Sequence, residues 1–229
     1  MPLAVLKRIF LLIAVSLVAT IPAAAQTASA GEARSGPAVK AHKTIFLDSD
    51  GNLVSNNEFV DIRMANPSYP DATVVKTLED GTVEFQLQKI PQEGMPAPAL
   101  SVTDIHGRKF GSAELAGKVV VLNFWFIGCP PCMAEIPHLN KLREQYASRD
   151  DIVFLALTHD DRESVKKFLA RKPFNYVIGA ESQAIQERFV FAGFPKNIVV
   201  GRDGRIVYWR STVRAWDKFE SVIKAELGK

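Results

Sequence analysis

The sequence predicts a mixed α/β sheet covered by helices on both faces, preceded by a small α+β module. Three observations carry that reading. From Val119 onward, apolar runs of strand length alternate with helix-period segments, the pattern of parallel strands joined by crossover helices. The last two strands flank Asp203-Gly204, a hairpin signal, which makes the sheet mixed rather than purely parallel. Finally, 47% of the 229 residues are apolar, which excludes disorder and supplies a good-sized core. Charge is close to balance, at 28 basic against 25 acidic residues, and forms no nucleic-acid footprint.

Taken in order, the chain opens on a leader. Lys7 and Arg8 precede the apolar run Ile9 to Ala19, and Pro22 and Ala23-Ala24-Ala25 follow, the layout of a signal peptide over residues 1–25. The apolar core is shorter than the ~20 residues a spanning helix needs, so cleavage is expected, with an uncleaved anchor as the alternative. Residues 26–42 read as a small, polar linker. Export would place the protein in the periplasm or a similar compartment, where a thiol pair must be kept reduced by a dedicated donor or else oxidise.

Residues 43–91 form the small module. Asp50-Gly51 and Asp80-Gly81 mark turns, and Ser55-Asn56-Asn57-Glu58 reads as a capping box opening a short helix with Phe59, Ile62 and Arg63. Val83, Phe85 and Leu87 alternate with Glu84, Gln86 and Gln88, as in a strand with one buried face. The expected order is strand, helix, strand, strand. At roughly 50 residues the module lies near the lower limit for independent folding, so it should pack on the larger domain or on a second copy of the chain.

The larger domain spans residues 94–229. It should begin with a hairpin around His106-Gly107 and a short turn capped by Ser112, followed by the run Val119 to Ile127, a central strand buried on both faces. A helix with Ile136, Leu139 and Leu142 on its apolar side comes next. Ile152 to Leu157 is a second buried strand, and Asp160 or Asp161 caps a helix running to Lys172 before Pro173. A strand at Tyr176 to Ile178, a helix from Ser182 to Val190, strands Asn197 to Val200 and Ile206 to Trp209, and a helix to Leu227 complete the domain.

Cys129-Pro130-Pro131-Cys132 falls where the central strand ends and a helix begins, at unsatisfied backbone donors and the positive end of the helix dipole. A sulfur there is favoured as thiolate. Cys129, at the helix entrance, should be reachable from outside and attack; Cys132, one turn in, should point into the domain and resolve. The two prolines suit the first helical turn but remove two donors to the Cys129 sulfur, leaving the amides of Cys132 and Met133 and keeping the motif toward the reducing side. Lowering a thiol pKa from about 8.5 to about 7 raises the thiolate fraction roughly 15-fold and costs roughly 5-fold in nucleophilicity, so rates must come mainly from docking the target.

Other uses of the pair are weaker fits. A structural bridge closing four residues stabilises by only about 2 kcal/mol. A closed zinc centre needs a second ligand pair, and His106, His138 and His159 are scattered without metal spacing. Linear Cu(I) coordination by the two sulfurs, with Met133 close by, stays open, as does a disulfide oxidant.

The run Asn123-Phe124-Trp125-Phe126-Ile127-Gly128-Cys129-Pro130-Pro131-Cys132-Met133-Ala134-Glu135 resembles the TlpA/ResA-like branch of the thioredoxin superfamily, exported thiol-disulfide oxidoreductases. Ala97-Pro98-Ala99-Leu100 and Gly117-Lys118-Val119 upstream, and Gly193-Phe194-Pro195 and Asp203-Gly204-Arg205-Ile206 downstream, extend the likeness over about Gly94 to Lys229. It implies a thioredoxin-like sheet, protein disulfides as substrates, a membrane electron donor and no cofactor beyond a redox-active Cys129 to Cys132 disulfide. It implies that Pro195 is a cis-proline facing the cysteines, that Phe194 pairs with an extended substrate segment, and that Glu135 modulates cysteine ionisation, against the plain alternative of a solvated charge. Trp125 and Pro130 complete the expected substrate groove, Trp125 as core or wall. Asn123 stands where some thioredoxins carry a buried acid. Gly128 and Phe194-Pro195-Lys196 depart from the branch and alter the groove rim.

Overall fold

The computed structural model describes residues 43–65 and 73–229, all within one compact unit, Ala41–Lys229. The expected leader and linker lie outside the described residues. The chain starts with β1 (Thr44–Leu47), α1 (Asn56–Arg63), β2 (Thr73–Thr77) and β3 (Val83–Leu87). These strands form a small sheet in the order β1-β3-β2, with β1 parallel and β2 antiparallel to β3. Ser55 caps α1 by accepting from the Glu58 amide at 3.1 Å. The alternation along β3 buries less than expected: only Leu87 is buried, and Val83 to Gln86 are half-buried on both faces. Instead of a covered face, the sheet has a local aromatic cluster, with the Phe59 ring 4.4 Å from Phe46 and 6.0 Å from Phe85.

The larger part runs through β4 (Val102–Thr103), β5 (Lys109–Phe110), α2 (Ser112–Leu115), β6 (Val119–Trp125), α3 (Pro130–Gln145), β7 (Ile152–Thr158) and α4 (Arg162–Leu169). It continues with β8 (Val177–Gly179), α5 (Gln183–Phe189), β9 (Lys196–Val200), β10 (Ile206–Arg210) and α6 (Trp216–Leu227). Five strands make the main sheet in the order β10-β9-β6-β7-β8. β6, β7 and β8 are parallel, while β9 is antiparallel to β6 and β10 to β9. This is the mixed, thioredoxin-like α/β sheet expected from the sequence.

β6 is buried at all seven positions and feeds two cores. Val119, Val121 and Trp125 face one core with Ile136, Leu139 and Leu142 of α3 and Phe219 and Ile223 of α6. Val120, Leu122 and Phe124 face the other with Ile185 and Phe189 of α5. The strand ends at Trp125 rather than Ile127, because the Ile127 amide donates to the Asp160 carboxylate at 2.8 Å instead of to a neighbouring strand. That carboxylate also accepts from the Thr158 hydroxyl at 2.7 Å, so the ends of β6 and β7 are fastened together.

Helix ends differ from expectation in two places. The N-cap of α2 is Gly111 rather than Ser112, since Glu114 reaches back to accept the Gly111 amide at 2.8 Å. α4 stops at Leu169, short of Lys172: the amides of Arg171 and Lys172 both turn back onto the Phe168 carbonyl ahead of Pro173. Asp161, not Asp160, caps α4 by accepting from the Ser164 amide.

Leu122 is fully buried at the centre of the sheet. Leu122→Ala should lower the unfolding free energy by about 3 kcal/mol, read as a drop in urea midpoint at unchanged slope. A loss below ~1 kcal/mol would contradict a close-packed strand.

Candidate active site

β6 delivers the chain to the start of α3, where Cys129 is the N-cap with extended φ −98° and ψ 102°. Pro130 and Pro131 occupy the first helical turn, where no intrahelical donor is missed. Cys129 and Cys132 form a disulfide with Cα atoms 5.3 Å apart. Of the two amides expected near the Cys129 sulfur, only that of Cys132 donates to it, at 3.2 Å; the Met133 amide closes the first helical turn on the Cys129 carbonyl at 3.0 Å. Backbone stabilisation of a sulfur anion here therefore rests on a single donor.

The expectation that Cys129 is open to solvent is corrected. Both cysteines are 2% exposed and belong to the core that α3 covers, with Phe126, Ile127, Met133 and Phe194 half-buried against the same cluster. Gly128 and Pro130, on either side of Cys129, are exposed, so the sulfur lies directly beneath the surface rather than deep within the fold.

The Phe194–Pro195 bond is cis, and Pro195 is buried at the head of β9. Phe194 is half-buried and meets Phe126 edge to face at 5.3 Å, with His159 at 5.6 Å and Phe191 at 5.5 Å. Phe126 and His159 lie 5.4 Å apart, closing an aromatic triad that links the motif loop, the end of β7 and the cis-proline loop. Gly128 fits this rim because a Cβ there would stand 3.3 Å from the Phe126 ring. Trp125 does not reach the rim, which corrects its expected place in the groove. At the last position of β6 it faces the core, 0% exposed, between Phe168 at 5.3 Å and Phe174 at 5.7 Å. His138 stacks on Trp216, and His106 lies in the β4–β5 hairpin.

One turn after Cys132 on α3 lies Glu135, 3% exposed, and the solvated-charge alternative falls. Its carboxyl accepts from the Asn197 amide group at 2.9 Å and from the Val213 backbone at 2.6 Å. Asn197 also accepts from Asn123 at 2.9 Å, its cross-strand partner between β6 and β9. Burial pushes the Glu135 carboxyl up to about 7, against the lowering effect of those two hydrogen bonds, with the Asp61 charge adding to the rise and Arg214 opposing it.

Next to the cis-proline, Lys196 is fully buried. Its ammonium donates to the Ala65 carbonyl at 2.6 Å and the Ser211 hydroxyl at 3.1 Å, over the Trp209 ring at 5.1 Å. Burial, with Arg210 nearby, lowers its pKa to about 7. Glu135 faces the α3 core and Lys196 the other side of the sheet, so two titratable groups flank β9 at its active-site end. Asn197 and Asp61 carry much of this arrangement, and neither announces itself in the sequence, since their partners Glu135 and Arg214 lie 62 and 153 residues away. Among the described residues no cluster of His, Cys, Asp or Glu forms a metal site.

The Redoxin family profile matches residues 92–225. Thiol-disulfide oxidoreductase ResA of Bacillus thuringiensis (strain Al Hakam) is 31% identical over 118 residues, which cover 51% of this chain and 68% of that protein. Thioredoxin-like protein YneN of Bacillus subtilis (strain 168) is 28% identical over 117 residues, 50% of this chain and 69% of the relative. Among solved structures, the thioredoxin domain of a thiol-disulfide oxidoreductase from Bacteroides vulgatus is 26% identical with a TM-score of 0.50, covering 58% of this chain and 97% of that one. A thioredoxin family protein from Chlorobium tepidum TLS, at 24% identity and TM-score 0.52, covers 61% of this chain and all of its own, and shares the fold.

The two buried titratable groups give stability opposite slopes. The unfolded chain loses the Glu135 proton near 4.5 while the folded one holds it to about 7, so unfolding free energy should fall across that window, by on the order of 3 kcal/mol. Glu135→Gln should remove the fall. Between about 7 and 10.5 the unfolded chain binds the extra proton at Lys196, so stability should rise with pH, and Lys196→Met should flatten the rise. Urea titrations of the oxidised protein at stepped pH read both; a slope unchanged in either variant contradicts the assignment.

Proposed function

We propose that this chain, which belongs to the Redoxin family and within it to the ResA-like thiol-disulfide oxidoreductases, is an exported reductant of protein disulfides. The observation that carries the reading is the Cys129–Cys132 disulfide at the head of α3, just beneath a surface formed by Gly128, Pro130 and the Phe126–Phe194 contact beside cis-Pro195.

In the reduced protein, the Cys129 thiolate attacks one sulfur of the target disulfide. A mixed disulfide forms and the other target sulfur leaves as thiolate. Cys132, deprotonated, then attacks the Cys129 sulfur, releases the second target thiolate and closes the Cys129–Cys132 disulfide. Two electrons pass to the target, and a reduced dithiol donor at the membrane restores the pair. The backbone flanking cis-Pro195 receives the target as an extended segment, with Phe194 and Pro130 lining the approach.

The surroundings of the Cys129 sulfur support the reducing direction. Only one backbone amide is placed to support a Cys129 anion, and the Glu135 carboxyl, one helical turn from Cys132, disfavours negative charge at the pair once it is ionised. Both effects weaken the reduced thiolate form that makes strong oxidants oxidising. Glu135, whose carboxyl loses its proton at about pH 7, accepts the Cys132 proton in its ionised form as the mixed disulfide resolves.

Cys132→Ser, reduced and mixed with exported proteins, should accumulate mixed disulfides on Cys129, resolved by dithiothreitol and absent when Cys129 is also replaced. The equilibrium potential in glutathione buffers should lie near or below about −270 mV. A potential well above that makes the protein an oxidant, and stoichiometric Cu(I) retention without captured partners replaces exchange with copper handling.

A further inference from the structure

The β10–α6 connection, Ser211 to Ala215, is held from two directions by buried acids. From α3, Glu135 accepts the Val213 amide at 2.6 Å. From α1 in the N-terminal module, Asp61 accepts the next two amides, Arg214 at 2.7 Å and Ala215 at 2.8 Å. Asp61 is 1% exposed and Glu135 3%. Three consecutive amides span at most ~7 Å of extended backbone, so two carboxyl groups from distant parts of the chain share one short strip. The same strip is fastened to the cis-proline strand, since Asn197 donates to the Ser211 carbonyl at 2.8 Å, and back to the module, since the Ser211 hydroxyl donates to the Met64 carbonyl at 3.0 Å.

Like charges this close in a buried setting cannot both ionise freely. Asp61 accepts two backbone amides and has the Arg214 guanidinium at 3.5 Å, its side chain 45% exposed, whereas Glu135 accepts one backbone amide and the Asn197 side chain. At Glu135 burial outweighs the two hydrogen bonds and raises the carboxyl to about 7, and the Asp61 charge adds to that rise. Besides Asp61 and Arg214, the groups facing Glu135 are the cysteine pair on its own helix, and Tyr176 and Tyr208, whose hydroxyls stay protonated because burial raises them.

We propose that Asp61 is a positioning residue of the cysteine site, by which the N-terminal module fixes the Val213–Ala215 strip that the Glu135 carboxyl rests on and sets the charge that carboxyl faces. The module is thereby part of the redox machinery. This rests on the exchange reading for its consequence but not for its geometry.

The test is side-chain carboxyl titration of Glu135 by carbon NMR in the full oxidised chain, with the thiolate absorbance of the reduced protein followed against pH. Asp61→Asn keeps an acceptor for the strip and removes the charge. Glu135 should then ionise more readily, its proton affinity falling about tenfold, and the thiolate curve should shift with it. Arg214→Met, at a partly exposed position, removes the compensating cation and should move Glu135 the opposite way. Should Asp61→Asn fail to fold, the Arg214→Met shift alone decides. Glu135 titrating alike in all folded variants overturns the proposal. Because the carboxyl is read without any substrate, failure of Cys132→Ser to capture partners would remove the exchange reading and leave this result standing.

Discussion

Strand β6 has no solvent face, and that constraint organises the molecule. Six of its seven side chains are apolar and divide between two cores, but the remaining one, Asn123, brings an amide into a place with no water to satisfy it. Its partner has to come from the next strand, and Asn197 supplies it in register. Asn197 in turn has donors to spend, one on Glu135 and one on the Ser211 carbonyl. A single polar side chain on the central strand thus starts a hydrogen-bonded spine that crosses β9, reaches the cysteine helix and ends in the β10–α6 connection. Asn123, Asn197 and Glu135 are buried, so removing one leaves its neighbours unsatisfied at a cost of about 1–3 kcal/mol, more where a charge is involved.

The same spine explains why a carboxyl survives in the core beside the cysteines. An isolated buried carboxylate would be expelled or protonated, and Glu135 is held at the boundary between the two by donors that favour its anion and by burial that opposes it. Lys196, one residue from Asn197 and on the opposite face, is balanced in the reverse sense. Among the described residues its ammonium has a carbonyl, a hydroxyl and two aromatic faces, but no carboxylate, for company. Both groups change charge in the neutral range, so the active-site end of β9 is electrostatically soft at the pH where thiols exchange.

Much of the architecture was legible because it is written in local periodicity. The apolar run from Val119, the caps at Ser55 and Asp161, the hairpin at Asp203-Gly204 and the Cys-Pro-Pro-Cys helix start each depend on residues within a few positions of one another. The misreadings share the opposite character. Ile127 looked like strand until the Asp160 carboxylate, 33 residues on, claimed its amide. Trp125 looked available to a groove because its place in the motif says nothing about Phe168 and Phe174 enclosing it. Cys129 looked open because a helix start usually is, yet it is 2% exposed within the core that α3 covers. Glu135 could be read either way from helix statistics, and its burial was decided by Asn197 and Val213, while the acid that faces it, Asp61, lies in a module with no chemical signature of its own.

The fastening of Ile127 to Asp160 makes the two halves of the aromatic rim mechanically unequal. Phe126 is carried by backbone tied down at the next residue, whereas Phe194 follows exposed Ala192 and Gly193, the latter at φ 79° with nothing within 4 Å of where a Cβ would be. The Phe126 side of the rim is thus anchored through a side-chain carboxylate, while the Phe194 side is reached through a left-handed glycine turn and held by its ring contacts.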